Sequence, residues 1–371
     1  MKVALVHDYI KEYGGAERVL EALHEIWPDA PIYTAFYKKD SRAYEKFKNI
    51  KIIPSWVHYI PFFAEKLHSP LRFLAPFIWG SFDLSKYDIV ISSASWYITK
   101  GFGHRQAPVE ICYCHTPPRW LYGYTTSVNF QKYPIIKTYA NIVGHFMRLY
   151  DFKQAQKVNY FIANSKETAS RIKKFYRRDS TVIYPPVELP NSKIKIQKSK
   201  KDYYLIVSRL VGGKGIELAL EAAKKSGFTL RIAGAQSGYW DFDRESKGNV
   251  EFLGPVSDEE LSELYKGAKA FLALSKDEDF GITPVEAMSL GVPVIAFNGG
   301  GYKETVVNNK TGILFDDYSS DGLIKAIKEF EKTKFDKEFI INYAQKFSKE
   351  RFKKEIKEFI ESKFENVKKT K

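Results

Sequence analysis

Cysteine is rare in this sequence, with Cys112 and Cys114 the two copies among 371 residues. They alternate along one apolar segment, so on a strand both thiols face the same side and do not bridge each other. A Cys-x-Cys pair without further cysteines or clustered histidines makes a poor metal site. The sequence therefore predicts two buried thiols rather than a metal centre.

Long apolar runs are also lacking. No segment reaches the roughly 18 consecutive apolar residues that a membrane-spanning helix needs. Residues 1–6 lead straight into an apolar first strand with no signal peptide. Low-complexity tracts and internal repeats are missing, and 44% hydrophobic with 27% charged residues is typical of a globular chain. We therefore expect a folded cytoplasmic protein.

Acidic residues are scarce in the first half of the chain. The net charge is +14, and residues 51–178 hold 18 Lys and Arg against six Asp and Glu. Such a basic half favours an anionic partner, either nucleic acid or the negatively charged cytoplasmic face of a membrane. Within it, residues 57–82 interleave seven aromatic residues with basic ones. That composition fits a membrane interface or a segment packed on its own domain.

Short apolar or β-branched runs alternate with helical stretches such as 16–27 and 165–176. The predicted strands are 2–7, 32–36, 89–93, 109–114 and 160–164, then 203–207, 229–233, 250–253, 270–274, 293–296 and 312–315. This alternation predicts an α/β protein with two doubly wound parallel sheets. A chain of this length suits two domains of about 150–200 residues each.

Prolines mark the domain boundary. Residues 184–190 read Tyr-Pro-Pro-Val-Glu-Leu-Pro, which cannot be helical, and residues 193–201 are polar and rich in lysine. We predict an N-terminal domain over 1–184, a linker over 185–201, a C-terminal domain over 202–348 and a final helix over 349–371.

Residues 278–287, Glu-Asp-Phe-Gly-Ile-Thr-Pro-Val-Glu-Ala, form the most informative segment. After an apolar strand, Thr283, Pro284 and Glu286 have the spacing of a helix N-terminus with Thr283 as N-cap. We expect free backbone N–H groups at this helix start, where an anion can bind. The alternative is that Glu286 only closes a capping box and needs no ligand.

A basic, glycine-rich turn follows the predicted strand 203–207. Residues 208–215 read Ser-Arg-Leu-Val-Gly-Gly-Lys-Gly, which places Arg209 and Lys214 five positions apart. Arginine binds phosphate oxygens in a bidentate manner and lysine adds a point charge, so both can stabilise a departing diphosphate. A solvated basic turn is the alternative. The spacing is not that of a Walker A loop.

Two strand ends in the first half carry further candidates. Residues 7–9, His-Asp-Tyr, end the first strand, and Gly14-Gly15 opens a helix, where paired glycines let a ligand approach the backbone. His115 follows the strand 109–114, at the strand end where open α/β sheets bind ligands. A hinge for the glycines and a structural turn for the histidine are the alternatives.

These motifs carry a resemblance. Residues 278–287 resemble the E-x7-E signature of retaining glycosyltransferases with the GT-B fold, especially glycosyltransferase family 4, including the intervening Phe-Gly-Ile-x-Pro. Arg209 and Lys214 match that family's phosphate-binding pair, and residues 298–305 resemble its Gly-Gly-x-x-Glu loop, for which a purely structural role remains the alternative. Residues 115–121 resemble a stretch of members that make bacterial surface polysaccharides, including mannosyltransferases that use GDP-mannose. The resemblance spans residues 3 to about 352.

The resemblance implies a fold and a site. The fold is GT-B, with two Rossmann-like domains facing a cleft and the final helix crossing back to the N-terminal domain. The implied catalytic residues are Glu278 and His115 on the transferred sugar and Arg209 and Lys214 on the diphosphate, while Glu286 holds the ribose. The implied donor-binding set is Gly14, Gly15, Ser208, Arg209, Lys214, Glu278, Phe280, Gly281, Ile282, Thr283 and Glu286. The implied acceptor side is Asp8, Tyr9, Arg119 and Trp120.

The implied reaction moves a hexose, with mannose from GDP-mannose favoured, to a glycan or a polyprenyl-diphosphate-linked acceptor. Retention by front-face attack lets the leaving phosphate take the acceptor's proton, so no carboxylate is assigned as a covalent nucleophile. Asp277-Glu278-Asp279 matches the D-x-D by which GT-A enzymes hold a metal. Because Arg209 and Lys214 supply positive charge, we nevertheless expect no metal or other cofactor.

Three other interpretations remain. The first is a family 4 enzyme that uses a UDP-sugar with another hexose. The second is a basic nucleic-acid-binding protein, which would leave the paired glutamates unused. The third is an inactive nucleotide-sugar sensor. We expect no nucleic-acid partner, and an anionic membrane surface as a candidate site of peripheral association.

Overall fold

The computed structural model describes residues 1–103, 108–124, 134–189, 202–235, 246 and 248–369, with side chains up to 365. Most of the predicted linker, residues 190–201, lies outside the described residues. The chain divides into two compact units. The N-terminal unit comprises the described residues of 1–186 together with 349–369, and the C-terminal unit those of 187–348.

The N-terminal unit is built on seven parallel strands in the order β3-β2-β1-β4-β5-β6-β7. The strands are β1 (Val3–His7), β2 (Ile32–Thr34), β3 (Ile52–Pro54), β4 (Ile89–Ala94), β5 (Val109–Cys114), β6 (Tyr160–Ala163) and β7 (Ser180–Val182). The helices up to the domain boundary are α1 (Gly15–Ile26), α2 (Arg42–Phe47), α3 (Ala75–Gly80), α4 (Pro134–Lys157) and α5 (Lys166–Tyr176). Every residue of β1, β4 and β5 is buried, as expected for strands covered on both faces.

The C-terminal unit contains a second parallel sheet, of six strands in the order β10-β9-β8-β11-β12-β13. The strands are β8 (Tyr203–Val207), β9 (Leu230–Ala233), β10 (Val250–Gly254), β11 (Ala268–Ala273), β12 (Val294–Phe297) and β13 (Gly312–Phe315). The helices are α6 (Ile216–Ser226), α7 (Asp258–Gly267), α8 (Ile282–Ser289), α9 (Tyr302–Thr305), α10 (Ser320–Lys332) and α11 (Lys337–Ala344). The predicted pair of doubly wound parallel sheets is therefore confirmed.

Both sheets reverse their chain order at one position. In the first sheet β1 lies between β2 and β4, and in the second β8 lies between β9 and β11. Ligands of doubly wound folds bind beyond the carboxyl ends of the strands at such a switch point. The motifs at residues 7–9 and 208–215 follow β1 and β8, so each unit carries candidate residues at its own switch point.

The C-terminal helix α12 (Lys349–Lys369) belongs to the N-terminal unit. Its apolar face enters the core of that unit through Phe352, Ile356 and Ile360, all buried. The Phe352 ring meets the Tyr113 ring edge-on at 5.8 Å between centroids. Glu25 of α1 pairs with two lysines at the start of α12, at 2.5 and 3.1 Å. The helix thus closes the core over β5.

The cysteines and the hydropathy of the helices were both considered from composition. Cys112 and Cys114 are both buried and free, which confirms the prediction of buried thiols. None of the described helices is both long and apolar enough to span a membrane.

We expect Phe352→Ala to destabilise the N-terminal unit by about 3–5 kcal/mol, because it leaves a cavity under α12. Urea unfolding followed by tryptophan fluorescence measures this loss. Lys354→Ala, at an exposed position two residues on, is the control and should change stability by about 0.5 kcal/mol or less. Equal effects of the two substitutions would contradict the packing of α12.

Candidate active site

The C-terminal unit brings the basic turn and the paired glutamates together. The turn 208–215 follows β8 and the glutamate segment follows β11, and these two strands are hydrogen-bonded neighbours. As a result Lys214 Nζ lies 2.8 Å from Glu278 Oε2, although the residues are 64 positions apart. The pair is partly shielded from water, with side-chain exposures of 29% and 18%. Its attraction is therefore stronger than that of a fully solvated surface pair.

Gly215 makes this arrangement possible. It has φ +72° at the N-cap of α6, a left-handed conformation that favours glycine. A Cβ atom at this position would lie 2.5 Å from the carbonyl oxygen of Leu274, just beyond β11. The turn that carries Lys214 can therefore pack against the end of β11 only without a side chain here.

The start of α8 differs from the sequence prediction. The helix begins at Ile282, with Gly281 at the N-cap position and no side-chain cap, so Thr283 is not the N-cap. Gly281 has φ +89°, which lets the chain turn into the helix two residues earlier than predicted. Pro284 is tolerated inside the first turn because N–H groups there have no partner within the helix.

Glu286 consequently closes no capping box. Its Oε2 accepts a hydrogen bond from the Tyr265 hydroxyl at 3.0 Å, which fixes the carboxylate toward α7. The capping-box alternative for Glu286 is therefore wrong, since this glutamate lies in the second turn of α8.

The glycine loop 299–301 supports the glutamate segment. The Gly301 N–H donates to the carbonyl oxygen of Glu278 at 2.8 Å. A Cβ atom on Gly300 would lie 2.2 Å from that same oxygen. The Tyr302 hydroxyl also reaches Glu278 Oε2, at 3.4 Å. The loop therefore positions both the backbone and the carboxylate of Glu278.

The other predicted donor residues differ in accessibility. Phe280 is buried and packs on Phe347 at 5.4 Å between ring centroids, so its side chain belongs to the core. Ile282 and Thr283 are half-buried in the first turn of α8. Arg209 is exposed in the basic turn, and the Ser208 hydroxyl donates to its carbonyl oxygen at 3.1 Å.

In the N-terminal unit, His115 is the end of a buried chain of polar groups. Its Nε2 lies 2.8 Å from Ser93 Oγ, which lies 3.0 Å from His7 Nδ1. His7 Nε2 is 3.4 Å from Glu17 Oε1, and Glu17 Oε2 accepts the Gly14 N–H at 2.9 Å. Gly14, one of the predicted donor-binding residues, thus donates its N–H to Glu17, and the next residue, Gly15, is exposed at the start of α1.

This chain holds the His115 ring in place, and burial determines its charge. Burial, with His7 nearby, lowers the pKa of His115 to about 3, so the ring is neutral near pH 7. A carboxylate only accepts, so His7 Nε2 donates to Glu17. Ser93 Oγ lies between the two rings and can donate to one of them while it accepts from the other.

Asp8 has a structural role that the sequence analysis did not predict. Burial raises the pKa of its carboxyl group, although hydrogen bonds and His7 oppose the rise. Oδ2 accepts the backbone N–H groups of residues 95, 96 and 97, and Oδ1 accepts the Thr99 hydroxyl. Because both oxygens hold the loop after β4, the predicted acceptor contact of Asp8 is not supported by its geometry.

The other acceptor-side candidates lie in or beside an aromatic cluster. Tyr9 meets Trp96 edge-on at 6.2 Å, and the Trp120 indole N–H donates to the Trp96 carbonyl oxygen at 3.1 Å. The Arg72 guanidinium lies over both indoles, 5.0 Å from Trp96 and 4.5 Å from Trp120. Arg119 precedes Trp120 and is half-buried. Tyr9, Trp96 and Trp120 follow β1, β4 and β5, neighbouring strands of the sheet.

The sequence did not predict a role in the site for several of these residues, namely Glu17, Arg72, Ser93, Trp96, Tyr265 and Tyr302. Ser93 and Trp96 lie at or after the end of β4, and the sequence did predict a strand there. The sequence did not show the strand order, which places β4 beside β1. Glu17 carries one signal, because an acid three residues after Gly14 is the spacing of a capping box.

No cluster of three His, Cys, Asp or Glu side chains suited to a metal ion occurs within the described part of the chain. Asp277 and Asp279 flank Glu278, whose carboxylate contacts Lys214 and Tyr302.

Two family models account for most of the sequence. Residues 13–190 match the model described as Glycosyltransferase Family 4, and residues 190–362 match Glycosyl transferases group 1. The chain belongs to the GT-B glycosyltransferases. The two matched regions meet at residue 190, close to the boundary between the two units.

Curated relatives share modest sequence identity with parts of this chain. Glycogen synthase of Thermus thermophilus is 34% identical over 130 residues, covering 33% of this chain and 30% of that protein. Alpha-1,3/1,6-mannosyltransferase ALG2 of Dictyostelium discoideum is 27% identical over 289 residues, covering 63% of this chain and 64% of that one. The chain thus spans less than two thirds of the length of these relatives.

Solved structures share the fold along the whole chain. HepE of Anabaena, solved in complex with UDP and glucose, is 19% identical with a TM-score of 0.66. The match covers 98% of this chain and 100% of that one, which confirms the GT-B fold.

We expect His115 to stay neutral down to about pH 3, and NMR of its imidazole nitrogens measures this directly. In the unfolded chain an ordinary histidine binds its proton near pH 6.5, so the unfolded state carries more protons between these values. Stability is therefore lost as pH falls below about 6.5, at about 1.4 kcal/mol per pH unit for such a group.

His115→Gln should flatten this acid-side loss of stability. His145→Gln, which removes an exposed histidine of α4, is the control and should leave the loss unchanged. Protonation of His115 near pH 6.5 would contradict its burial.

Proposed function

We propose that this protein is a retaining, metal-independent hexosyltransferase that takes its sugar from a nucleotide diphosphate sugar. The observation that carries the proposal is the contact between Lys214 and Glu278 at the carboxyl ends of β8 and β11. It joins a cation suited to a diphosphate with a carboxylate suited to sugar hydroxyls, at the switch point of a doubly wound sheet.

In this proposal the C-terminal unit binds the donor. Arg209 and Lys214 contact the diphosphate, Glu286 holds the ribose hydroxyls, and Glu278 orients the transferred sugar. Lys214 then exchanges part of its contact with Glu278 for phosphate oxygens, which frees an oxygen of the carboxylate to accept a sugar hydroxyl. The Tyr302 hydroxyl and the Gly301 N–H keep Glu278 in place during this exchange.

The proposed chemistry needs no covalent enzyme intermediate. The bond between the anomeric carbon and the diphosphate breaks while the acceptor hydroxyl attacks from the same face. The acceptor's proton passes to the departing phosphate oxygen. Arg209 and Lys214 stabilise the charge that develops there, since fixed cations lower the barrier to a departing anion. His115 is suited to form a hydrogen bond with a hydroxyl of the transferred sugar.

Mannose from GDP-mannose is the donor we favour. Support comes from the likeness of residues 115–121 to the mannosyltransferase subset and from ALG2, whose name describes a mannosyltransferase. The proposed acceptor is a glycan or a polyprenyl-diphosphate-linked glycan. A second candidate, transfer of another hexose from a UDP-sugar, is favoured by HepE, whose structure contains UDP and glucose.

We expect GDP to bind the full chain more tightly than UDP in calorimetric titrations. Arg209→Ala and Lys214→Ala should each weaken binding roughly tenfold to a hundredfold, because hydrogen bonds to charged groups contribute about 1.5–3 kcal/mol. Lys224→Ala removes an exposed cation of α6 and should bind like the unmodified chain. Tighter binding of UDP would select the second candidate, and failure of both nucleotides to bind would refute the donor site.

We also expect turnover to survive EDTA, because Arg209 and Lys214 take the place of a metal at the diphosphate. Transfer from radiolabelled GDP-mannose, with and without the chelator, measures this. If EDTA abolished transfer and Mn²⁺ restored it, Asp277 and Asp279 would become metal ligands and the metal-free mechanism would be wrong.

A further inference from the structure

Helix α4 exposes an apolar stripe on the side opposite its buried face. The stripe consists of Ile135, Tyr139, Ile142, Phe146 and Leu149, which are between 39% and 85% exposed. Steps of three or four residues keep these positions on one face, since a helix turns once every 3.6 residues. Single exposed apolar residues are ordinary, but five along one helix face form a contiguous patch.

A different face of α4 attaches the helix to its unit. Gly144, Met147, Asp151 and Ala155 are buried. Asp151 forms a buried ion pair with Lys100 and accepts the Tyr122 hydroxyl at 2.7 Å. The stripe is therefore not the core face of the helix, and it can be changed without removing these contacts.

The exposed charges on α4 are of one sign. Its exposed ionised side chains are basic, namely Lys137, Arg148, Lys153 and Lys157, and its single acid, Asp151, is buried. Lys153 and Lys157 follow the stripe by four and eight residues, so both lie near its C-terminal end. An apolar face bordered by lysines is typical of helices that lie in the surface of an anionic bilayer.

A second exposed aromatic group lies in a segment that α4 contacts. Tyr59, Phe62 and Phe77 are 76%, 69% and 66% exposed. The Tyr139 hydroxyl donates to the carbonyl oxygen of Pro70, which joins the stripe to residues 59–77. Phe62 has φ +60°, unusual for a bulky residue, and this conformation coincides with an exposed ring. Aromatic side chains of this kind are enriched at membrane–water interfaces.

Charge decides between a bilayer and a second copy of the chain. A symmetric dimer through the stripe would leave the lysines beside it without an exposed acid on α4 to pair with. Anionic lipid head groups instead attract each lysine or arginine near the surface, while the stripe enters the boundary between head groups and acyl chains.

We propose that the stripe of α4, with the exposed aromatic residues 59, 62 and 77, docks the N-terminal unit on an anionic membrane surface. The inference rests on the proposed function in one respect, because docking would give the transferase access to a lipid-linked acceptor. It identifies α4, and not residues 57–82 alone, as the principal contact.

Flotation of the full chain with phosphatidylcholine vesicles, with and without phosphatidylglycerol, tests the docking. We expect binding that needs the anionic lipid and weakens with salt, because salt screens exposed charges. Ile142→Ser/Phe146→Ser should reduce the bound fraction at least tenfold. Phe339→Ser, at an exposed aromatic of α11, is the matched control and should float like the unmodified chain.

A charge pair of variants tests the lysines. Lys153→Glu/Lys157→Glu should abolish binding, while Lys224→Glu/Lys328→Glu, with the same change in net charge in the C-terminal unit, should retain it. Equal binding of the stripe variant and the unmodified chain would overturn the proposal. So would a dimer in light scattering that Ile142→Ser/Phe146→Ser dissociates.

GDP titration of the same preparations separates the two proposals. Nucleotide binding without flotation would overturn only the docking surface, while flotation without nucleotide binding would overturn only the donor site.

Discussion

Parallel pairing of β8 with β11 is the constraint on which the candidate donor site depends. Because neighbouring parallel strands end at the same edge of a sheet, the turn after β8 and the loop after β11 meet there. Lys214 and Glu278 are thereby brought within 2.8 Å. The backbone has to permit this approach, and Gly215 and Gly300 do so because neither position has room for a Cβ atom. Packing at this edge therefore explains the glycines as well as the charged pair.

The N-terminal unit meets a different physical demand, since it buries several ionisable groups. Burying polar groups without partners is costly, and the buried side chains of Asp8 and His115 both have partners. Asp8 is satisfied by the loop after β4, and His115 is linked through Ser93 and His7 to Glu17. The hydrogen bonds that offset the cost of burial also hold the ring of His115 in place, so stability and preorganisation have a common origin in this unit.

The two faces of α4 have different roles, because one attaches the helix to its unit and the other is exposed. Its buried face carries the ion pair of Asp151 with Lys100, and its opposite face carries apolar side chains and lysines. The stability of the N-terminal unit does not explain these exposed apolar side chains, since they bury no apolar surface within the unit. Association with another surface explains it, and the sign of the charges identifies that surface as anionic.

Local signals determined much of this protein. Apolar periodicity gave the two parallel sheets with most of their strands, and the residues between 203 and 207 and between 312 and 315 were predicted to the residue. The three-residue strands β3 and β7 were missed, whereas the equally short β2 was predicted because it begins the longer apolar run 32–36. The start of α8 was misplaced because Gly281, in a left-handed conformation, replaced the side-chain cap that the sequence suggested.

Glu278, Lys214, Glu286 and His115 were identified from short sequence motifs, each interpreted from its neighbouring residues. Only the tertiary structure decided what those residues touch. The contacts of Lys214 with Glu278, of Glu286 with Tyr265 and of His115 with Ser93 join segments that are between 21 and 64 positions apart. Strand order and helix packing create these contacts, and neither is encoded in any one segment. The exposed stripe of α4 was likewise decided by the tertiary structure. Apolar residues at helical spacing look the same in a sequence whether their face is buried or exposed, and only the fold determines which face is covered.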